Sequence, residues 1–333
     1  LFDWQPEQAV ALWRESAELD PTFPVVFRNL ALAWSHRGGD ESLDSAIAAM
    51  ETAVSLSDQY PIHFFELDRL YEAAGKPPEM RLAMLERHES SVVERDDATA
   101  RAINLKIVMG KADEAIGLLT GRVFDIWEGG ARFDPGDAWT NAHLARGRQH
   151  LADGEIGDAL VDFEAALDYP ANLRAFESGG AAPRLAEVTY WMGIAHEANG
   201  DTQRSHEVFQ RVAELELQRA TADRRISASQ GAQLYFQAMS LHKLGRDEEA
   251  AIIYREIREA GTTMLADLPD AVGYFSSFGE TQSQRSKLAS AHYLKGLGHL
   301  GLGQYDMARS HFERATEARS DHLGARWALE KMR

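Results

Sequence analysis

LASAHYLKGLGHLGLGQYDMARSHFERATEARS, residues 288–320, reads as two short amphipathic helices joined at Gly303. Apolar residues recur at helical spacing on both sides of that glycine, and small residues (Gly296, Ala308, Ala315) stand where the two helices would cross. Read outward, weaker copies of the phrase run through the chain. The turn glycine recurs at Gly38, Gly75, Gly110, Gly154, Gly200, Gly245 and Gly303. Ahead of each stands a first-helix crossing residue: Ala31, Asp68, Ile103, Gly147, Gly193, Ala238, Gly296. Behind each stands a second-helix one: Ala46, Met80, Ala115, Ala159, Ser205, Ala250, Ala308. Four residues further on comes a larger apolar side chain: Met50, Met84, Leu119, Phe163, Phe209, Tyr254, Phe312. The crossing residues are 12 apart in six of the seven units, and 15 apart in the first, where Arg37–Ser42 lengthens the turn. Fixed spacing in a variable sequence is what packing imposes: small residues let helices approach, and the residue one turn later fills the groove. No period-2 strand pattern appears.

The pattern resembles the tetratricopeptide repeat, a helix–turn–helix unit of about 34 residues. The best copies are 138–170, 186–213, 230–257 and 288–320; units 25–58, 62–88 and 97–122 depart from it, with Asp68, Met80 and Ile103 where small residues are preferred. Residues 6–21 read as the second helix of a unit whose first helix lies upstream of Leu1, and the chain opens without Met, so a piece of a longer protein is expected. Asp321–Arg333 reads as a polar cap. The expected fold is an all-α, right-handed superhelix (α-solenoid) of about seven and a half units. It is read as a single domain, 1–333, with regularly spaced repeats over 1–122. Over 123–333 the repeats are separated by long rim loops at 123–137, 171–185 and 261–287.

Those loops hold Phe124, Ile126, Trp127 and Phe133, then Phe176, then Leu265, Leu268, Tyr274, Phe275 and Phe278. Such aromatics either fold back onto the helices or contact a partner, and folding back is favoured because an exposed apolar cluster is costly. The phrase Phe124-Asp125-Ile126-Trp127-Glu128-Gly129-Gly130, with Asn29–Trp34 and Phe65–Tyr71, resembles the repeat tail of the domain-of-unknown-function 5107 family. The resemblance implies the C-terminal part of a larger, cytoplasmic bacterial protein, with a mutarotase-like β-sandwich upstream and an association with carbohydrate use. Trp127, Glu128 and Phe124 are the rim-loop candidates.

A formal charge of -17, spread along the chain, disfavours nucleic acid and anionic membranes as partners. The absence of cysteine excludes disulfides and thiolate chemistry. No apolar run approaches the roughly 20 residues that span a bilayer. Arg outnumbers Lys and Ala is abundant, which fits a GC-rich bacterial source.

Gly296-Leu-Gly298-His-Leu-Gly301 fits the dinucleotide fingerprint in letters only, since that fingerprint follows a strand and opens a helix. Here Leu288–Lys295 is helical in pattern. His292 and His299, seven apart on one helical face, could meet a common solute or be ordinary helix residues. Glu128, Asp134 and Asp137 share a loop, but Asp134 and Asp137 read as turn and N-cap residues. No catalytic, cofactor or metal site is expected. The concave face offers Tyr190, Tyr235 and Tyr293, each three residues before a crossing position, as a column that holds a peptide, stacks on a sugar or packs between helices. Arg28, Arg69, Asn104 and Arg148 fall further along that face. The reading is a non-catalytic interaction module that binds a protein segment, its own upstream region or another copy. The alternative is an accessory domain of a carbohydrate-active enzyme.

Overall fold

The computed structural model describes residues 5–37, 39–124, 133–173, 184–217, 219, 226–268 and 278–332. Gly38, Ile126, Trp127, Glu128, Phe176, Tyr274 and Phe275 lie outside them. The described residues are all-α and of tetratricopeptide type. In order, the helices are α1 (Pro6–Leu19), α2 (Pro24–Arg37), α3 (Asp40–Leu56), α4 (Pro61–Ala73), α5 (Pro78–Arg87), α6 (Glu89–Val92), α7 (Asp96–Val108) and α8 (Ala112–Thr120). They continue as α9 (Pro135–Ala152), α10 (Ile156–Ala165), α11 (Leu185–Ala198), α12 (Thr202–Ala213), α13 (Ala228–Lys243), α14 (Asp247–Ala266), α15 (Phe278–Gly301), α16 (Tyr305–Ala318) and α17 (Leu323–Lys331). Two compact units form: one is built on Leu1–Leu105, the other on Lys106–Phe124, Asp134–Asp270 and Gln284–Arg333.

The turns close alike. In six of them the residue after the glycine donates its N–H to the carbonyl five back, as in Glu155 to His150 (2.8 Å) and Gln304 to His299 (2.9 Å). That closure satisfies a terminal carbonyl and needs a left-handed residue, which is why glycine stands there. In the first turn the left-handed residue is Gly39, one beyond the position read from the sequence.

In the second unit the crossing rule is literal. A Cβ at Gly147, Gly193 or Gly296 would stand 2.6, 2.6 or 2.5 Å from the ring of Phe163, Phe209 or Phe312. Each phenylalanine brings its Cδ1 and Cε1 against the glycine of the partner helix, and burying a ring of that size stabilises by about 1.5–3 kcal/mol. The fingerprint-like glycines have the same cause. Gly296, Gly298 and Gly301 all lie within α15, and Gly298 and Gly301 let it approach Arg258 and Tyr254 of α14.

Two readings are corrected. In unit 62–88 the inward residue of α5 is Arg81, not Met80: Met80 is 42% exposed, Arg81 0%. Asp68 occupies the small position of α4, and a buried carboxylate needs a cation, so α5 presents Arg81 at 2.8 Å. The described residues of the rim segment 261–287 are also largely helical. Helix α14 runs on to Ala266 and α15 begins at Phe278, because Gly261 lies against the α15 backbone at Ala291 and Lys295.

His292 and His299 of α15 meet His311 of α16. The His292 and His311 Nδ1 atoms are 3.0 Å apart, so one donates and the other accepts, and the accepting ring is neutral. His299 stacks on His311 at 5.4 Å and donates from Nδ1 to Gln304 Oε1 at 2.6 Å. Burial, with Lys295, His292, His299 and Arg314 adding to it, pushes His311 down to about 4, and burial lowers His292 with Arg314 and Lys295 while Glu317 opposes. The unfolded chain takes up protons below about pH 6.5, whereas native His311 resists until about pH 4, so native stability falls across that window. We expect the α15–α16 transition in urea to move to lower denaturant between pH 7 and pH 4.5, and His311→Asn to flatten that dependence.

Candidate functional site

In the second unit the first helices α9, α11, α13 and α15 contribute one face. The three tyrosines stand on it three residues before a crossing position, the spacing that directs a side chain into the cleft between helices. Tyr190 packs against Phe209 and Phe236 (centroids 5.7 and 5.5 Å), and Tyr235 against Phe236 and Tyr254 (5.5 and 5.8 Å). They are 3% and 8% exposed, so the structure places them in the core and not on an open wall. Tyr293 is half-buried, against Phe312 (6.0 Å) and His322 (4.8 Å). Burial pushes the Tyr235 phenol well up, and the nearby Tyr254, Tyr190 and Tyr293 add to it.

Arg148, the residue after the crossing Gly147, lies beside Tyr293. Its guanidinium sits between two indoles, 4.8 Å from the Trp191 centroid and 4.2 Å from that of Trp327. A cation held over an aromatic face is favourable by about 0.5–2 kcal/mol, more when water is excluded. Burial lowers its pKa, opposed by Glu187, Tyr293 and Glu330. Trp191 Nε1 is shut off from solvent and meets no acceptor among the described residues. Trp327 comes from α17, so the C-terminal helix lies on the first-helix face. At its other end a Cβ at Gly324 would stand 2.6 Å from Tyr293 Cζ and Oη. Sequence reading found Arg148 and the tyrosines but passed over Trp191 and Trp327. Neither interrupts the repeat, and the polar look of 321–333 concealed an aromatic anchor.

The remaining candidates fall in the first unit, apart from Phe124. Arg28 of α2 donates twice to Glu66 of α4, at 2.7 and 2.5 Å. Arg69 lies 5.5 Å over the Phe65 ring; burial and then Arg101 lower it against Glu72, Glu66 and Asp97. Asn104 is exposed on α7. Phe124 is half-buried under Arg122, 5.7 Å away, whereas Trp127 and Glu128 lie outside the described residues. Asp134 caps α9, accepting from Gly136 N at 2.9 Å and Asp137 N at 3.2 Å, and Asp137 pairs with Arg184 at 3.1 Å. Among the described residues, His150, Glu155 and Asp158 bring three ligand atoms close together. They are on the surface, and His150 Nδ1 bonds Glu155 at 2.6 Å, an ordinary exposed pair. No described helix is long and apolar enough to cross a membrane.

Residues 289–322 match the tetratricopeptide repeat family model. Similar solved structures include a tetratricopeptide repeat protein from Parabacteroides merdae, 12% identical over 98% of each chain, with a TM-score of 0.42. YrrB, a TPR protein with an unusual peptide-binding site, is 15% identical over 61% of this chain and 91% of its own, with a TM-score of 0.39. The human IFIT1 dimer with PPP-AAAA is 14% identical over 93% of this chain and 68% of its own, with a TM-score of 0.33.

Proposed function

We propose that the chain is a non-catalytic protein-interaction scaffold whose first-helix faces hold a segment of another protein. The observation that carries this reading is the seat of α17: the face of the second unit accepts a helix, orienting it by the Arg148–Trp327 stack at one end and the Gly324–Tyr293 contact at the other. The charged faces suit polar recognition and are preorganised, since Arg28 is already fixed by Glu66 and Arg148 by Trp191. A peptide array probed with the intact chain tests it. Arg28→Ala, Asn104→Ala and Arg148→Ala should each weaken capture of a subset of peptides by about five-fold or more, as loss of single polar contacts does. Val161→Ser and Ile252→Ser, at exposed second-helix positions, should leave capture unchanged. Loss confined to the second-helix variants contradicts the reading.

The family resemblance carried by Phe124–Gly130 supports a second reading: the C-terminal, cytoplasmic part of a bacterial carbohydrate-active protein, with the rim loop serving a neighbouring domain. It rests on family resemblance alone, carried by that phrase together with Asn29–Trp34 and Phe65–Tyr71. Unchanged glycoside turnover of the longer protein after Trp127→Ala counts against it.

A further inference from the structure

Helix α17 covers part of the first-helix face with few bonds to hold it. It is nine residues long, below the roughly 12–15 at which an isolated helix becomes even marginally stable in water, so its contacts keep it in place. Among its residues only Ala325 is fully buried. At its C-terminal end Arg309 of α16 donates to the Met332 carbonyl at 2.7 Å, and midway Trp327 lies on Arg148. Guanidinium groups keep their charge throughout the acid range, so these contacts do not change with pH. The N-terminal end differs. Every helix begins with unpaired N–H groups that need an acceptor, most often a Ser, Thr, Asn or Asp oxygen. Here the acceptor is an imidazole: His322 Nδ1 takes the Ala325 N–H at 3.2 Å, and its ring lies 4.8 Å from that of Tyr293 in α15. Only a neutral imidazole with its proton on Nε2 accepts there. A second proton turns Nδ1 into a donor aimed at a donor, and sets a positive charge at the positive end of the helix dipole.

The groups that face His322 are the Tyr293 ring from α15 and, from the turn that leads into α17, Arg319 and Asp321, themselves paired at 2.9 Å. Burial first, and then Arg319, push the imidazole down to about 4, with Asp321 opposing. Freeing α17 returns His322 to the ordinary histidine range near 6.5, so the freed segment takes up the proton first. The seat is therefore at full strength above about pH 6.5 and weakens as pH falls toward 4. We propose that His322 is an acid-sensitive latch: protonation of its Nδ1 frees α17 and uncovers the face on which Arg148 and Tyr293 stand. The consequence for binding rests on the reading of that face as a protein-binding surface. At neutral pH the intact chain keeps the face covered, and apparent affinity for a protein segment is reduced by the fraction of time α17 is seated.

The test follows amide exchange of Leu323–Lys331 in the intact chain at pH 7 and pH 4.5, corrected for the intrinsic effect of pH on exchange, with α10 of the same molecule as the internal reference. Wild-type α17 should lose at least about ten-fold in protection beyond any loss in α10, as the shift of one group from about 6.5 to about 4 requires. His322→Asn, whose amide oxygen caps a helix at either pH, should keep the protection seen at pH 7 and lose no more than α10 does. An α17 whose protection tracks α10 in the wild type, or one freed as much in His322→Asn as in the wild type, overturns the proposal. If His322→Asn unseats α17 already at pH 7, the wild-type chain is read by NMR with isotope-labelled histidine. His322 should then carry its proton on Nε2, and α17 exchange should follow its titration. The other tautomer, or titration without release, overturns the latch. Release of α17 with no gain in capture of array peptides bears out the latch and contradicts the scaffold reading of this face.

Discussion

Arg81→Ala should cost the first unit about 3–5 kcal/mol, the loss typical of breaking a buried ion pair from one side. Asp68 is fully buried at the crossing point of α4, where most units have Ala or Gly. Its carboxylate accepts from Arg81 Nε at 2.8 Å and Nη2 at 3.1 Å, and from Arg101 of α7, which also pairs with Glu72 at 2.8 Å. Burial pushes the Asp68 carboxyl up, but Arg101 and Arg81 outweigh it and hold the group ionised, below its usual range. Removing Arg81 leaves a charge in the helix interface with half its compensation. The double change Asp68→Ala with Arg81→Leu removes the charge and its partner together, restores the small crossing residue, and should recover most of the loss. Arg101 keeps Glu72 and some solvent. Urea unfolding of the intact chain, followed through the transition of the first unit, measures both. A single-variant loss under about 1 kcal/mol, or a double variant no better than Arg81→Ala, shows that the pair is not what holds α4 to α5.

Gly298→Leu should be destabilising by about 2–3 kcal/mol or more, whereas Gly117→Ala should stabilise by up to about 1 kcal/mol. Both glycines are inside helices, and only their surroundings differ. A Cβ at Gly298 would lie 2.6–2.8 Å from Arg258 Cβ, N and Cα, and backbone cannot step aside as a ring can. Around Gly117 there is nothing within 4 Å, so the gain in helix propensity stands alone. Melting temperatures moving in opposite directions are the expected result. A fall for both would mean that α8 uses its glycine for a contact the structure does not contain.

The helix–turn–helix repeat was legible because packing repeats itself in sequence. A crossing glycine with a phenylalanine 16 residues on, as in Gly147–Phe163, Gly193–Phe209 and Gly296–Phe312, is a contact written as a spacing. The exceptions were legible only as irregularities. Asp68 announced that its unit differed, yet the compensating cation lay one residue off the expected phase, and a turn of α5 about its axis leaves no mark in periodicity. The extension of α14 through Gly261 was hidden because glycine reads as a loop residue when its neighbour is unknown. At the candidate site, how far the tyrosines sink into the cleft depends on Phe209, Phe236 and Phe312, contributed by other helices. Trp327 reaching Arg148, about 180 residues away in sequence, is a tertiary event that no local pattern encodes.

The proposed scaffold takes up a protein segment on the first-helix face of the second unit. Hydrogen–deuterium exchange of the intact chain, with and without a saturating amount of a peptide captured on the array, reads this residue by residue. We expect added protection on the first helices of that unit, around Arg148 in α9 and Trp191 in α11. New protection confined to the second helices α10, α12 and α14 would contradict it.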